Sequence, residues 1–327
     1  MEKITLQSLQ GKIKKHVSKS ASYQEYKIDF SNVFQLKDGS FLKIFDANII
    51  QFMKNNSSYD IERKILEAKP VPNVPEILIP TKIVYDEKSH LFQGYILPAA
   101  KGITINQLDD RFSKKDRADL WQYANLYHLM EDFIKRAHTA GFVFPDFGSL
   151  DNLYIYDKNH HKQLSMIDYD GMQIGDNPST SFSSILGNQG SYFIPKYWDE
   201  TKDLFKPSLD IKSLIIEYFL LTFNVNLSSV GQFNPETGRY NTLDDVFEQI
   251  HLDDDEIKHK VWKLFQPNEE NEYLGDSVYR LAETHHLLCE QIRLSELFNI
   301  APQYDRILTF KQLVPNKNGH LDKVLKK

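Results

Sequence analysis

The chain has 327 residues, room for two domains or one large bilobal one at roughly 100–200 residues per domain. With 41% apolar and 26% charged residues, 14 Gly and 13 Pro, the composition excludes disordered and collagen-like chains, and a single cysteine, Cys289, excludes an intramolecular disulfide framework and suits a reducing, cytoplasmic setting. The net charge of −6 is unevenly placed: residues 1–19 carry five Lys against one Glu and residues 306–327 six Lys or Arg against one Asp, leaving the body between them strongly acidic.

In chain order, residues 1–19 contain no apolar run of a secretory signal, and their charge reads as a solvated terminus, with no strong nucleic-acid or membrane signal. Val33 to Phe45 reads VFQLKDGSFLKIF, two alternating runs around Asp38-Gly39, which predicts a hairpin. A helix is predicted over Tyr59 to Ala68, where Ile61, Ile65 and Leu66 share a face, ended by Pro70, Pro72 and Pro75. Two strands follow, Thr81 to Tyr85 and Leu91 to Leu97. The Pro98 to Gly102 stretch then interrupts the pattern and marks a boundary between a strand-rich lobe over residues 1–98 and a helical one over 99–305, with a basic tail at 306–327. A long helix is predicted from Lys114 to the stop at Gly141, then short strands Asn152 to Tyr156 and Gln163 to Ile167 around a polar DKNHH turn. A strongly apolar helix starts near Ser208 to Asp210. Its most apolar part, Leu214 to Phe223, is interrupted by Glu217 and is about half the ~20 residues a bilayer span requires, so it reads as a buried helix. Residues 228–300 read as helices with loops.

The densest polar cluster on an apolar background is residues 138–171, HTAGFVFPDFGSLDNLYIYDKNHHKQLSMIDYDG, with Asp146, Asp151, Asn152, Asp168 and Asp170. Carboxylates and an amide on loops between short strands suit a hard divalent cation such as Mg²⁺, and Mg²⁺ in turn implies phosphate. Asp and Asn are also common in turns for backbone reasons, so no one of them decides the matter.

The spacing of this cluster resembles the protein-kinase-like fold, of an atypical, bacterial-type serine/threonine kind. His138 to Asp146 resembles the approach to a kinase catalytic loop, Asn152 in LDNLYI the loop asparagine, and Asp168 in SMIDYDG the start of the metal-binding Asp-Phe-Gly. Lys43 in FLKIF resembles the third-strand lysine, and Glu62, 19 residues on, the helix glutamate that pairs with it. LDIKSLIIEYFLLTF resembles the buried helix whose aspartate, here Asp210, braces the catalytic loop, and IPKYW, residues 194–198, the end of the activation loop. The resemblance covers about residues 25–225. It implies an α+β, bilobal fold with a small antiparallel-sheet N-lobe, a larger helical C-lobe and a cleft that binds ATP and Mg²⁺. It also implies roles: Lys43 on the phosphates, Glu62 holding its ammonium, Asn152, Asp168 and Asp170 as metal ligands, and Asp146 as catalytic base. Backbone near Leu97, Ala99 and Ala100 would bond the adenine. The implied activity is phosphorylation of a hydroxyl, with a protein serine or threonine preferred.

Departures from the family keep other readings open. Residues 18–32 contain no glycine, so a phosphate loop would rest on Ser20, Ala21 and Ser22 or on a turn at Ser31-Asn32. Pro145 and Gly148 stand where protein kinases place an arginine and a lysine. Asp146 and Asn152 are six positions apart, one more than in the family, which leaves Asp151 as an alternative base. The alternatives are a pseudokinase acting as a binding or scaffolding module, and a small-molecule phosphotransferase of the aminoglycoside-kinase type. His160-His161, His285-His286 and Cys289 do not make a metal site by themselves. Gly-x-Ser-x-Gly, His-Glu-x-x-His and Gly-x-x-x-x-Gly-Lys are absent from the sequence.

Overall fold

The computed structural model describes residues 1–19, 31–47, 49–51, 60–104, 126–145, 147, 151–158, 161–179, 198–199, 204–223, 227, 230, 233–249 and 255–263. Its largest sheet has six strands, β1 (Glu2–Thr5), β2 (Ile13–Lys19), β3 (Ser31–Leu36), β4 (Phe41–Phe45), β5 (Lys82–Tyr85) and β6 (Phe92–Leu97), in the order β1-β5-β6-β4-β3-β2. The predicted hairpin is β3–β4. Asp38 accepts bonds from the backbone and hydroxyl of Ser40, and Gly39 turns the chain at φ 90°, a conformation side chains disfavour.

Two expectations are corrected here. The sheet is mixed, because β1 runs parallel to β5 while the other pairs are antiparallel. Residues 1–19 supply both edge strands, with Lys3, Lys12 and Lys14 exposed to solvent, and a single 3₁₀ turn at Gln7–Leu9 carries the chain between them. Strand alternation outweighs the lysine count because only every second side chain has to leave water. Leu9 is buried with Leu36, Leu42, Val84 and Ile96 on one face of the sheet. Ser31 and Asn32 lie within β3, paired with Phe45 and Ile44, and form no turn.

The other face joins the main core. Period-two alternation along β4 sends Leu42 to the first face and Lys43 and Phe45 to the second, where Phe45, Ile83, Tyr95 and Leu97 pack. That cluster is continuous with Leu126, Met130, Phe133 and Ile134 of α2 (Leu126–Thr139) and Leu214, Ile215 and Phe219 of α3 (Ser208–Phe223). The short helix α1 (Ile61–Leu66) is capped by Asp60, whose side chain accepts from the Arg63 amide at 2.9 Å. Gly141, at φ 85°, stops α2 as the sequence predicts. After the Pro98 to Gly102 stretch, β7 (Ile103–Thr104) pairs with β9 (Leu153–Lys158), which pairs with β10 (His161–Met166). Beyond α3, the two-residue strands Phe233–Asn234 and Arg239–Tyr240 form a small hairpin where loop was predicted, and α4 (Leu243–Gln249) and α5 (Asp255–Lys263) follow. Among the described residues no helix is long and apolar enough to cross a membrane.

Strand β6 approaches β4 closely at Gly94, where an added Cβ would sit 2.0 Å from the Lys43 carbonyl oxygen. Both partners are backbone, so neither yields cheaply. Gly94→Ala is expected to destabilise the chain by about 3 kcal/mol or more, read by urea denaturation, at the upper end of overpacking costs.

Candidate functional site

Lys43 leaves the middle of β4 on the core side, directly across from Tyr95 of β6. Its ammonium reaches two carboxylates far along the chain: Asp168, and Asp170 at 2.8 and 2.9 Å through its two oxygens. Asp170 also accepts the Tyr95 hydroxyl hydrogen bond. The two acids differ in access. Asp170 is 1% exposed and Asp168 24%.

Asp168, two residues past the end of β10, sits in the left-handed region, φ 67° and ψ 48°, before the 3₁₀ turn Tyr169–Gly171. Most side chains tolerate that conformation poorly, Asp and Asn better than the rest, and such outliers concentrate at functional sites. The next strand, β11 (Gln173–Ile174), pairs with β8 (Phe142–Val143), which leads into Pro145 and Asp146. Thus the segment from Asp168 is tied to the approach to Asp146. That approach is braced from a second side. Buried Asp210 of α3 accepts from the Phe144 amide at 3.0 Å and pairs with His138 Nε2 at 2.8 Å.

The electrostatics follow from burial and pairing. Burial opposes the charge on Lys43, but Asp168 and Asp170 overcome it and hold the ammonium above the usual lysine range. Burial would raise Asp170, yet the charge and hydrogen bonds of Lys43, with the Tyr95 hydroxyl, hold it below the usual carboxylate range. Asp168 is pushed up, by burial and by the neighbouring Asp170 charge. Tyr95 is raised well above the phenol range by burial and by both acids, so it keeps its proton and donates.

Of the residues picked from sequence, Lys43, Asp168 and Asp170 meet. Asn152 lies alongside, its carbonyl accepting from the Ile167 amide at 2.9 Å. Glu62 is not on Lys43: its carboxylate accepts from the Tyr85 hydroxyl at 2.9 Å. Leu97 is buried at the end of β6, two residues from Tyr95, with Ala99 exposed and Ala100 partly so. Asp151 is exposed. Asp146, Gly148, Ser20, Ala21, Ser22, residues 194–197 of IPKYW, His160, His285, His286, Cys289 and the 306–327 tail lie outside the described residues. Among the described residues no three His, Cys, Asp or Glu side chains are grouped to hold a metal ion. A nucleotide-bound Mg²⁺ asks for less, one or two carboxylates with waters and phosphates filling its other positions, and the partly open Asp168 fits that demand.

Tyr95 and Lys64 were not singled out by the sequence. Lys64, 3% exposed, inserts its ammonium into backbone carbonyls of Asp170 at 2.9 Å, Met172, and Pro178 at 3.0 Å. Three N–H donors meet three acceptors. The signal was present: Ile61, Lys64 and Ile65 fall at i, i+3, i+4, which puts a lysine on the buried face. No model of a known protein family and no curated protein matches the chain.

Burial pushes the Lys64 amine down to about 7, with Asp170 and Asp168 pulling against it. Unfolded lysine titrates near ~10.4, so between these values the unfolded chain binds more protons and stability attributable to Lys64 rises with pH. Lys64→Met is expected to cost roughly 1–3 kcal/mol at pH 7 by orphaning carbonyls. The deficit relative to wild type should widen at pH 9.5, checked by urea titrations at both values.

Proposed function

We propose that the chain is an atypical kinase-like phosphotransferase that moves a phosphoryl group from ATP, with Mg²⁺, to a hydroxyl, with a protein serine or threonine as the preferred acceptor. The reading includes a bilobal, protein-kinase-like arrangement and a cytoplasmic setting where ATP is plentiful. What supports it is one contact: the ammonium of Lys43 bonds to Asp168 across 125 positions of sequence. That lysine and that acid were picked from unrelated stretches for roles that require them to be neighbours.

Phosphoryl transfer needs positioning and charge neutralisation more than covalent help. Bound MgATP would supply the transferable group and a divalent counter-charge. Lys43, held charged by its carboxylates, would take the phosphate oxygens as a point charge. Asp168 would turn its open side to Mg²⁺, together with Asn152. Asp146 would orient the acceptor hydroxyl and take its proton, standing on an approach stiffened by the Asp210 bonds to Phe144 and His138. Backbone groups from Leu97 to Ala100 would receive the adenine.

A thermal-shift titration with ATP, with and without Mg²⁺, tests binding, because a ligand at about 100 times its Kd stabilises the native state by about 2.7 kcal/mol. The upward shift should require Mg²⁺ and vanish in Lys43→Met and Asp168→Asn, the latter keeping a side chain that tolerates the left-handed backbone. No metal-dependent shift would favour a scaffold. Transfer of γ-phosphate to protein and small-molecule hydroxyls, compared between wild type and Asp146→Ala, should fall by about 100-fold or more in the variant. Retained transfer would move the base to Asp151.

A further inference from the structure

In protein kinases the strand lysine is held by a helix glutamate, so the position of that helix controls the lysine. Here the side chain in the glutamate's place, Glu62, is bonded to Tyr85. The amine of Lys43 has three N–H donors, and three carboxylate oxygens occupy them, one of Asp168 and two of Asp170. A third carboxylate would find no proton left to accept.

We propose that Asp170, in place of Glu62, is the positioning residue for Lys43, so that the amine is set by the same short segment that carries Asp168 and not by the placement of α1. The proposal rests on the phosphotransferase reading for its function, but its geometry stands apart from it. Asp170 is suited to hold and unsuited to ligate. It is 1% exposed, its two oxygens accept from Lys43 and Tyr95, and no face is left for a hydrated cation. A buried carboxylate in this state fixes whatever it pairs with, because separating the two leaves an uncompensated charge in the interior. The link between α1 and the segment runs the other way. Lys64 and Arg63 of α1 reach the 170–178 backbone and the Asn177 side chain, so the helix is fastened to the segment that sets the lysine.

The test needs no nucleotide. Nucleotide-free protein is treated with a small amine-acylating reagent, and modification of Lys43 is followed by mass spectrometry, with exposed Lys88 as internal standard. Asp170→Asn should raise the Lys43 rate about tenfold or more, the scale of a lost buried partner, while Glu62→Gln leaves it within about twofold. An equal rise in Glu62→Gln overturns the proposal, and that variant alone decides the matter if Asp170→Asn does not fold. A second measurement separates holding from ligation. In the ATP thermal shift, Asp170→Asn should weaken ATP binding at saturating Mg²⁺ without changing the Mg²⁺ concentration for half effect. A raised Mg²⁺ requirement with unchanged ATP binding would make Asp170 a metal ligand and sink the inference. If wild type binds no ATP, the functional reading fails while the labelling result still stands.

Discussion

The site turns on one ammonium enclosed by two carboxylates. Taking such charges out of water costs several kcal/mol per ion, and their attraction returns that only when geometry and hydrogen bonding are good. The cluster of Lys43, Asp168, Asp170 and Tyr95 is therefore poorly explained as a stabilising device. An apolar set of similar volume would stabilise the fold as well or better. What it provides is a fixed distance between the middle of β4 and the chain after β10, maintained because neither charge can leave the other.

The segment from Asp168 to Pro178 carries that constraint outward. Its carboxylates hold β4 through Lys43, its carbonyls hold α1 through Lys64, and its β11 pairing holds the strand before Asp146. Gln173, also within it, exchanges hydrogen bonds with the Phe205 backbone at 2.6 and 2.9 Å. Four stretches far apart in sequence thus take their mutual positions from about eleven residues. The left-handed turn at Asp168 is the local departure that allows two acids, two positions apart, to point at the same amine.

Sequence and structure agree most where the signal is local. The β3–β4 hairpin follows from Asp38-Gly39, and α3 follows from an apolar run too short for a membrane. Asp168 and Lys43 were legible from the order of several weak motifs, since each sits beside a strand pattern. The partner of Lys43 was not legible. Choosing between Glu62 and Asp170 depends on how a six-residue helix is seated, and that is decided by Lys64 and its carbonyl partners, which are main-chain groups with no sequence signature. At residues 1–19 the lysine count was silent about the strands, because Ile4, Leu6 and Leu9 face inward while Lys3, Lys12 and Lys14 stay in water.

Because β1 and β2 lie at opposite margins of the six-stranded sheet yet come from one stretch of eighteen residues, the two margins share a single fate. Peeling that strap away would uncover Leu42, Val84 and Ile96 from above and bare unpaired amides and carbonyls along both flanks at once. The strap closes the sheet as a clasp closes a band, and ties the folding of its borders into one cooperative event.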